Sequence, residues 1–317
     1  MTWPKSDHFD GRRFFNPHLE NARPLSAVPR MLTESRAPWP PRVAVQVRDV
    51  EPRPAEAWAS LTFVGHSTFV IQTPKGTVIT DPVFAERASP VSFAGPRRVR
   101  EAAVRLDRLP HIDLVLLSHN HYDHCDLASL RHIARRFSPA LVTPLGNGKL
   151  ARQTGFTRVD ECDWWGTSSH APLPVTVTPA RHFSARTPFD RNEALWGGFV
   201  LQVGARRLYV AGDSGHGPHF GEIRQRLGAM DCALLPIGAY EPRWFMSPIH
   251  MNPDEAAQAH LAVDSRLSIG KHYGTFQLTS EAIDEPLRAL AHARRIHGIP
   301  DDRFTTLDFG ETRHLID

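Results

Sequence analysis

The chain has 317 residues, of which 41% are hydrophobic and 22% are charged, and its formal net charge is +3 at pH 7. This composition is ordinary for a globular protein with a sizeable core, and so small a positive charge does not favour nucleic acid as a partner. No apolar run reaches the roughly 20 residues that cross a bilayer, and the N-terminus lacks the apolar segment of a secretory signal.

Proline and arginine are frequent in residues 1–58, which show no sustained hydrophobic period. We predict an extended N-terminal arm that packs on the body, with one short strand over 43–47. The body, residues 59–317, opens with β-branched and aromatic runs on both sides of a turn signal at 74–76, which predicts a hairpin leading into a third strand. The near-continuous apolar run "HIDLVLLSH" (111–119) then predicts a strand buried on both faces.

The second half of the chain alternates strand and helix patterns. Apolar residues recur at helical spacing from Leu127 to Phe137, and Asp126 is the predicted N-cap of that helix. Later runs predict strands at "PVTVTPA", "GGFVLQVGARRLYVAGD", "DCALLPIG" and "RLSIGKH", helices at "PDEAAQAHLAV" and "EPLRALAHARRI", and a short strand near "FTTLDFG". Early hairpins followed by alternating strands and helices indicate sheets covered by helices. The predicted fold class is therefore α/β with mixed sheets.

A dense group of metal-ligand side chains follows the strand predicted at 111–119. The stretch "HNHYDH" contains His119, His121, Asp123 and His124. Histidines two residues apart in a loop can face one ion, while Asp123 and His124 can face a second point nearby. Imidazole with carboxylate suits zinc, and also iron or manganese. The stretch therefore predicts a metal site rather than a polar loop of hydrogen-bonded histidines.

Three later residues of ligand type stand where apolar runs stop, namely His182, Asp213 and His272. Because sites in layered α/β folds collect at strand ends and their loops, we predict that these residues complete the metal centre. Ligating histidines also need outer partners that fix their tautomers. Asp81 in "VITDP" is the first candidate, against a plain turn-forming role. His66 in "GHST" is the second, against the role of an ordinary core histidine.

The order of these motifs resembles a known family. HxHxDH, a single later histidine, "GDS" and a final histidine resemble the metallo-β-lactamase superfamily, whose fold is an αββα sandwich. Over about residues 61–311, similarity to the N-acylphosphatidylethanolamine-hydrolysing phospholipases D extends to "DPVFAERASPVSFAGPRRVR", "LSHNHYDHCD", "DWW", "LWGGF", "AGDSGHGPHFGEI", "PIGAYEPRWFM", "HMNPDEA" and "HYGTF". The arm stretch "HFDGRRFFNP" is similar to bacterial members of this group.

The resemblance implies a centre with two Zn²⁺ ions per chain. One ion would be bound by three histidines, the other by one aspartate and two histidines, with a carboxylate bridging them: His119, His121 and His182; Asp123, His124 and His272; and Asp213. Two such ions, about 3.5–4 Å apart, can activate a shared water and polarise a phosphoryl oxygen. Asp123 would also orient the water. Attack on phosphorus would then release an N-acylethanolamine and leave phosphatidic acid.

His250 lies in "MSPIHMNPDE", where the family has a histidine thought to act near the substrate. We predict that it is either a proton donor to the leaving group or a phosphate-positioning donor, against a helix-capping role. The predicted substrate contacts are Arg97 and Arg98 in "GPRRVR" and Trp244 and Phe245 in a loop at "EPRWFM". Arginine binds phosphate, and aromatic side chains enter bilayer interfaces. The alternatives are a solvated basic face and core packing.

The partner and compartment follow from the same observations. A phospholipid or other phosphodiester is the expected substrate, with peripheral membrane contact, and a homo-oligomer stays open. Three cysteines, Cys125, Cys162 and Cys232, cannot all pair within one chain and form no CxxC motif. That pattern is typical of a reducing compartment, so we expect the cytoplasm, including the inner membrane face.

Two other functions remain open from the sequence alone. The same site could hydrolyse a different bond, in a lactone, an amide or a non-lipid phosphodiester. A non-catalytic metal-binding protein could also use this scaffold, although the complete set of predicted ligands argues against that alternative.

Overall fold

The computed structural model describes residues 3–17, 27–168 and 171–316. Residues 1, 2 and 18–26 of the predicted arm therefore lie outside the described residues. The first sheet contains seven strands, ordered β13-β1-β2-β3-β4-β5-β6. They are β1 (Ala59–Gly65), β2 (Thr68–Thr73), β3 (Gly76–Thr80), β4 (Leu114–Leu116), β5 (Ala140–Pro144), β6 (Arg158–Cys162) and β13 (Thr312–Leu315).

The second sheet contains six strands, ordered β12-β11-β10-β9-β8-β7. They are β7 (Val175–Thr178), β8 (Gly198–Val203), β9 (Arg206–Val210), β10 (Cys232–Pro236), β11 (Ser268–Lys271) and β12 (Phe304–Thr305). Both sheets are mixed. The neighbours from β3 to β6 and from β9 to β12 are parallel, whereas the hairpins β1–β2, β2–β3, β7–β8 and β8–β9 are antiparallel.

The helices lie between and after these strands. They are α1 (Val28–Leu32), α2 (Leu127–Phe137), α3 (Gly148–Gln153), α4 (His219–Leu227), α5 (Arg243–Met246), α6 (Pro253–Ala262) and α7 (Glu285–His297). The prediction of Asp126 as N-cap of α2 is confirmed, because its side chain accepts the backbone N–H of Ala128. In α6, Asn252 and Glu255 form a reciprocal capping box, which satisfies two donors that helix N-termini otherwise leave unpaired.

The core explains why β4 is apolar on both faces. Leu114 and Leu116 belong to the main core, together with side chains of the second sheet such as Phe199 and Leu234. Val115, between them, packs on the other side of its sheet in a cluster that includes Ile133 of α2. The predicted strand buried on both faces is thus confirmed, and the α/β class with mixed sheets is correct. Among the described residues, no helix has both the length and the apolarity to cross a membrane.

Other predicted elements differ from the structure. Residues 43–47 form no strand, since only Val43 makes a bridge, with Arg100. The loop predicted at "EPRWFM" contains the one-turn helix α5. Six elements were not predicted, namely β5, β6, β13, α1, α3 and α4. Most are short, and in the edge strand β13 Leu315 is the only buried residue, so its pattern carries little hydrophobic signal.

The described part of the N-terminal arm lies on the body. Residues 3–17 fold back on themselves through bridges from Phe9 to Ser6 and to Phe14. Phe9 and Phe14 are buried in the main core, whereas Phe15 is 40% exposed. The buried aromatic residues of this segment therefore pack on the body.

A buried histidine fastens this segment to the first sheet. His8 stacks on Trp164, with ring centroids 4.3 Å apart. Its Nδ1 lies 2.6 Å from Asp7 Oδ1 and its Nε2 lies 2.7 Å from Asp163 Oδ1. Burial alone would lower the pKa of His8, but the two carboxylates outweigh it and the pKa is raised above 6.5. The imidazolium between two carboxylates therefore stabilises the docked arm.

This pair makes part of the folding stability depend on pH. A histidine whose pKa is raised on folding contributes fully below its unfolded pKa of 6.5 and loses that contribution as pH rises through the folded pKa. We expect His8→Gln to cost about 1 kcal/mol at pH 6, as partly exposed ion pairs do, and less at pH 8.5. Urea unfolding of the parent protein and of the variant at each pH measures the difference in unfolding free energy. The contributions of the other histidines are the same in both proteins and therefore cancel. An equal cost at both pH values contradicts the prediction.

Candidate metal centre

The seven predicted ligands meet at the carboxyl ends of strands from both sheets. His119 to His124 follow β4, His182 follows β7, Asp213 follows β9 and His272 follows β11 directly. Their ligand atoms, with those of two further histidines, lie within 4.8 Å of one another in four overlapping groups: His66, Asp123, His124 and His272; His119, His121 and His182; His119, His124 and Asp213; and His182, Asp213 and His250. The sheet packing therefore assembles residues that are far apart in sequence.

Close backbone approaches bring the two sheets together here. The N–H of His272 donates to the carbonyl of His66 at 2.8 Å. His66, Asp81 and His272 all have positive φ values, of 55°, 36° and 64°, which are unusual for residues with a side chain and concentrate at functional sites. A Cβ on Gly212, next to Asp213, would lie 2.2 Å from the carbonyl oxygen of Gly197. A glycine is therefore required where this loop passes the segment that contains Gly197.

The group formed by His119, His121 and His182 consists of three imidazole rings. His119 Nε2 lies 2.9 Å from His121 Nδ1, which lies 3.2 Å from His182 Nε2. Burial lowers the pKa of His121 to about 4 and that of His182 to about 3, so both rings are neutral near pH 7 and offer lone pairs. Nitrogens at about 2.0–2.1 Å from a tetrahedral ion stand roughly 3.3 Å apart. The spacing of this group fits a metal ion.

The other residues of the centre surround two carboxylates, those of Asp123 and Asp213. Asp123 Oδ2 lies 3.0 Å from His66 Nε2, 3.5 Å from His124 Nε2 and 3.4 Å from His272 Nε2. Asp213 Oδ2 lies 3.0 Å from His124 Nε2 and 2.9 Å from His272 Nε2. Yet neither of these two ring nitrogens has a hydrogen bond of good geometry among the described residues. Buried polar atoms that face one another without such bonds are the arrangement expected of metal ligands.

The charges around these two carboxylates also suit a cation. Burial alone would raise the pKa of Asp213, but His124 and His272 outweigh it and hold that pKa well below its ordinary value. Conversely, burial would lower the pKa of His124, but Asp213, Asp123 and Asp81 outweigh it and raise that pKa. The carboxylates thus retain protons on neighbouring imidazoles, and metal ions that bind would release those protons. The residues present fit the metal centre that the motifs imply.

Outer partners fix the orientation of two of the rings. Asp81 Oδ2 lies 2.8 Å from His124 Nδ1, and the same carboxylate accepts the backbone N–H and the hydroxyl of Ser118. His182 Nδ1 lies 3.0 Å from the carbonyl of Ile249, to which it donates. Both contacts leave Nε2 directed at the centre. Asp81 thus lies where an outer partner was predicted, and His66 contacts Asp123 at the edge of the same centre.

Comparison with known proteins shows where this centre belongs. The Beta-lactamase superfamily domain matches residues 76–273. A Caenorhabditis elegans protein named N-acyl-phosphatidylethanolamine-hydrolyzing phospholipase D 1 is 38% identical over 273 residues, which cover 81% of this chain and 76% of the relative. The chain belongs to the metallo-β-lactamase superfamily and, within it, to the N-acylphosphatidylethanolamine-hydrolysing phospholipase D family. The resemblance seen in the sequence is thus confirmed.

Other similar proteins agree with this family and fold. A Saccharomyces cerevisiae protein named N-acyl-phosphatidylethanolamine-hydrolyzing phospholipase D, mitochondrial is 34% identical over 71% of this chain and 49% of its own length. Among solved structures, a metallo hydrolase from the archaeon Ignicoccus hospitalis has a TM-score of 0.60 and 24% identity, covering 80% of this chain and 97% of that one. The chain therefore has the metallo-β-lactamase fold and is a metal-dependent hydrolase.

In this member of the phospholipase D family, His250 lies against the predicted ligands. Its Nε2 is 3.9 Å from Asp213 Oδ2, and its ring is perpendicular to that of His182 with centroids 5.0 Å apart. The backbone of His250 is fixed by Arg243, whose Nη1 donates to its carbonyl at 3.0 Å and whose Nη2 lies 2.7 Å from Glu255. His250 therefore borders the centre rather than capping helix α6, whose cap is Asn252.

Sequence reasoning missed one charged residue of this family member. Lys271 is 1% exposed, and its Nζ lies 3.8 Å from Asp213 Oδ1 and 3.3 Å from Ser67 Oγ. Its position beside His272, at the end of a buried strand, was the only signal in the sequence. A buried ammonium needs a partner, and the Asp213 carboxylate is within reach of this one. Lys271 therefore places an additional positive charge beside Asp213.

The predicted substrate residues have other partners in the structure. Arg98 is stacked 4.8 Å over Phe276, and its guanidinium donates to the carbonyls of Val83 and Ala85. Arg97 is exposed and pairs with Glu86 at 2.5 Å. Both arginines therefore contact neighbouring protein groups, and Arg98 is half-buried beside the loop that contains Phe276.

The two aromatic candidates lie on α5. Trp244 Nε1 donates to Glu34 at 2.9 Å, and Arg30 lies 4.4 Å over its ring. The ring of Phe245 contacts that of Trp244, with centroids 5.6 Å apart. Both residues are half-buried. The structure thus places Trp244 against residues 30–34, between the arm and the loop that contains His250.

Proposed function

We propose that this chain is a zinc-dependent phosphodiesterase of the phospholipase D type. Its substrate is N-acylphosphatidylethanolamine or a related glycerophospholipid, which it cleaves into phosphatidic acid and an N-acylethanolamine. The observation that carries the proposal is the complete set of seven ligand-type residues in one centre, in a chain that is 38% identical to a phospholipase D of this name over 273 residues. Imidazole and carboxylate donors favour zinc, and iron or manganese are the alternatives.

The residues around the centre have distinct tasks in this reaction. Two divalent ions, when bound, supply Lewis acidity and water activation at neutral pH. Asp123, fixed by His66, accepts a hydrogen bond from the attacking water and directs its oxygen at phosphorus. The bond from phosphorus to the ethanolamine oxygen then breaks, and that oxygen takes up a proton, which balances the proton that the attacking water gives up. His250, at the border of the centre, is placed to donate a hydrogen bond to the phosphate or to the leaving oxygen.

Incubation with defined phospholipids, followed by liquid chromatography and mass spectrometry, tests this proposal. The expected products are an N-acylethanolamine and phosphatidic acid, which a chelator abolishes and added Zn²⁺ restores. Metal content per chain is measured on the same sample. A protein with two bound ions that hydrolyses neither these lipids nor bis(p-nitrophenyl) phosphate contradicts the proposal. Cleavage of a lactone or an amide instead would support the other hydrolytic reaction.

We further propose peripheral contact with the lipid surface through two exposed phenylalanines. Phe93 and Phe189 are 81% and 83% exposed, the largest exposures among the described large hydrophobic residues. Phe189 lies in the loop that follows His182, two residues before Arg191, whose guanidinium stacks on Phe183. Phenylalanine inserts into the interface of a bilayer, and neighbouring arginines attract anionic head groups.

Replacing both phenylalanines should weaken binding to vesicles. Burial of an exposed phenylalanine contributes roughly 1.5–3 kcal/mol, so Phe93→Ser with Phe189→Ser is expected to reduce partitioning at least about tenfold. Cosedimentation with vesicles containing anionic lipid measures it. Leu261→Ser is the matched control, because Leu261 is 52% exposed on α6. Equal binding of the double variant and the parent protein would exclude these residues as membrane contacts.

A further inference from the structure

The N-terminal arm reaches the metal centre through one asparagine. Asn16 Nδ2 donates to the carbonyl of His182 at 2.8 Å, and its Oδ1 accepts the N–H of the same residue at 3.1 Å. Both ends of one carboxamide thus bind the N–H and the carbonyl of a single predicted ligand, 166 residues away in the sequence. A side chain that only filled space would not use both of its polar atoms in this way.

His182 needs this support because no strand or helix holds it. It lies four residues beyond the end of β7 at Thr178, and it is 1% exposed. Its backbone N–H and carbonyl therefore require protein partners, and the described structure supplies Asn16 for both. The imidazole is fixed separately, by Ile249. Asn16 thus fixes the backbone from which the ring extends, and Ile249 fixes the ring.

The arm presents Asn16 from a well-anchored segment. The N–H of Phe14 donates to the carbonyl of Asn192 at 2.8 Å, and the N–H of Phe15 donates to His8 at 2.9 Å. Phe14 itself is 1% exposed in the main core. His8, between Asp7 and Asp163, joins the same segment to the first sheet. The position of Asn16 is therefore determined by the docking of the whole segment.

We propose that the docked N-terminal arm is part of the metal centre, with Asn16 as a positioning residue that holds His182 in place for the ion bound by His119, His121 and His182. This inference rests on the metal centre of the proposed function, but not on its lipid substrate. Outer partners of metal ligands typically contribute 10–100-fold to metal affinity. Loss of the Asn16 contacts should therefore weaken one ion and spare the other, which Asp123, His124 and His272 would bind without contact from the arm.

The test is metal binding by the full-length chain, measured without substrate. For Asn16→Ala we expect 10–100-fold weaker affinity for one of two Zn²⁺ ions in a competitive chelator titration, and a changed visible spectrum of the Co²⁺-loaded protein at one site. Asn16→Asp retains the shape and the acceptor for the N–H but sets an oxygen against the His182 carbonyl. An added negative charge alone would tighten cation binding, so weaker binding by this variant supports the positioning role.

Asn147→Ala is the matched control. Asn147 is fully buried, and its Nδ2 donates to the carbonyls of Pro144 and Leu195, both at 2.9 Å. Its loss should lower thermal stability without changing either metal affinity. If both Asn16 variants bind two ions as tightly as the parent, or lose both ions equally, the inference is wrong. A parent protein that binds no metal would overturn the metal centre itself, whereas one that binds two ions without lipid hydrolysis would overturn only the substrate.

Discussion

Replacing Asp213 by asparagine should remove nearly all hydrolytic activity and reduce the bound metal. The Asp213 carboxylate is the group that the family resemblance implies as a bridge between the two ions. Its Oδ2 is within 3.0 Å of His124 Nε2 and 2.9 Å of His272 Nε2, and it shares a ligand group with His182. The amide retains the shape but loses the charge. Because even outer partners contribute about 10–100-fold, we expect a direct ligand to cost at least about 100-fold in turnover and in metal affinity.

Turnover on a phosphodiester and metal content by mass spectrometry measure both effects on the same preparation. Asp231→Asn is a suitable control, because Asp231 is a partly buried aspartate that pairs with Arg206 at 2.7 Å and precedes β10, at the end of the second sheet opposite the centre. The control should lose some stability and retain its metal. If Asp213→Asn keeps two ions and normal turnover, Asp213 does not connect two metal sites.

The sequence predicts the centre because its ligands are at strand ends. His119, His182, Asp213 and His272 each follow a strand whose apolar run is easily recognised, and parallel neighbours direct their carboxyl ends to one edge. The spacing of "HNHYDH" adds a local motif. Asp81 was recognisable for the same reason, since it follows β3. The fold class and the predicted ligands can thus be recognised from local sequence patterns, without knowledge of the tertiary contacts.

The contacts that cross between segments could not be predicted in this way. Asn16 lies in an aperiodic arm, and nothing near it in the sequence points to His182. Lys271 has the sequence pattern of an ordinary strand residue. Its burial results from the packing of β11 against Ser67, which that pattern does not indicate. Arg98 belongs to a basic cluster whose sequence suggests an anion site, yet its guanidinium is bound by backbone carbonyls. Such roles depend on which surfaces meet, and sequence periodicity carries no information on that.

The surroundings of His250 bear on which of its two predicted roles it has, proton donor to the leaving group or hydrogen-bond donor to the phosphate. It is 6% exposed, and burial, with the neighbouring His182 and His272, lowers its pKa well below 6.5 despite the nearby Asp213. Bound cations would lower this pKa further. A protonated imidazole is therefore disfavoured near neutral pH, so the neutral ring is better suited to donate an N–H hydrogen bond to a phosphoryl oxygen than to transfer a proton.

We therefore expect His250→Ala to lower kcat by about 100-fold, a typical loss for one hydrogen-bond donor to a developing negative charge, while two ions stay bound. His250→Asn retains an N–H donor and should recover part of that loss. The proton-donor role would instead leave His250→Asn as inactive as His250→Ala. A third outcome is open because His250 shares a ligand group with His182 and Asp213. Loss of metal from both variants would assign His250 to the metal ligands, since an N–H donor to the substrate contributes nothing to metal affinity.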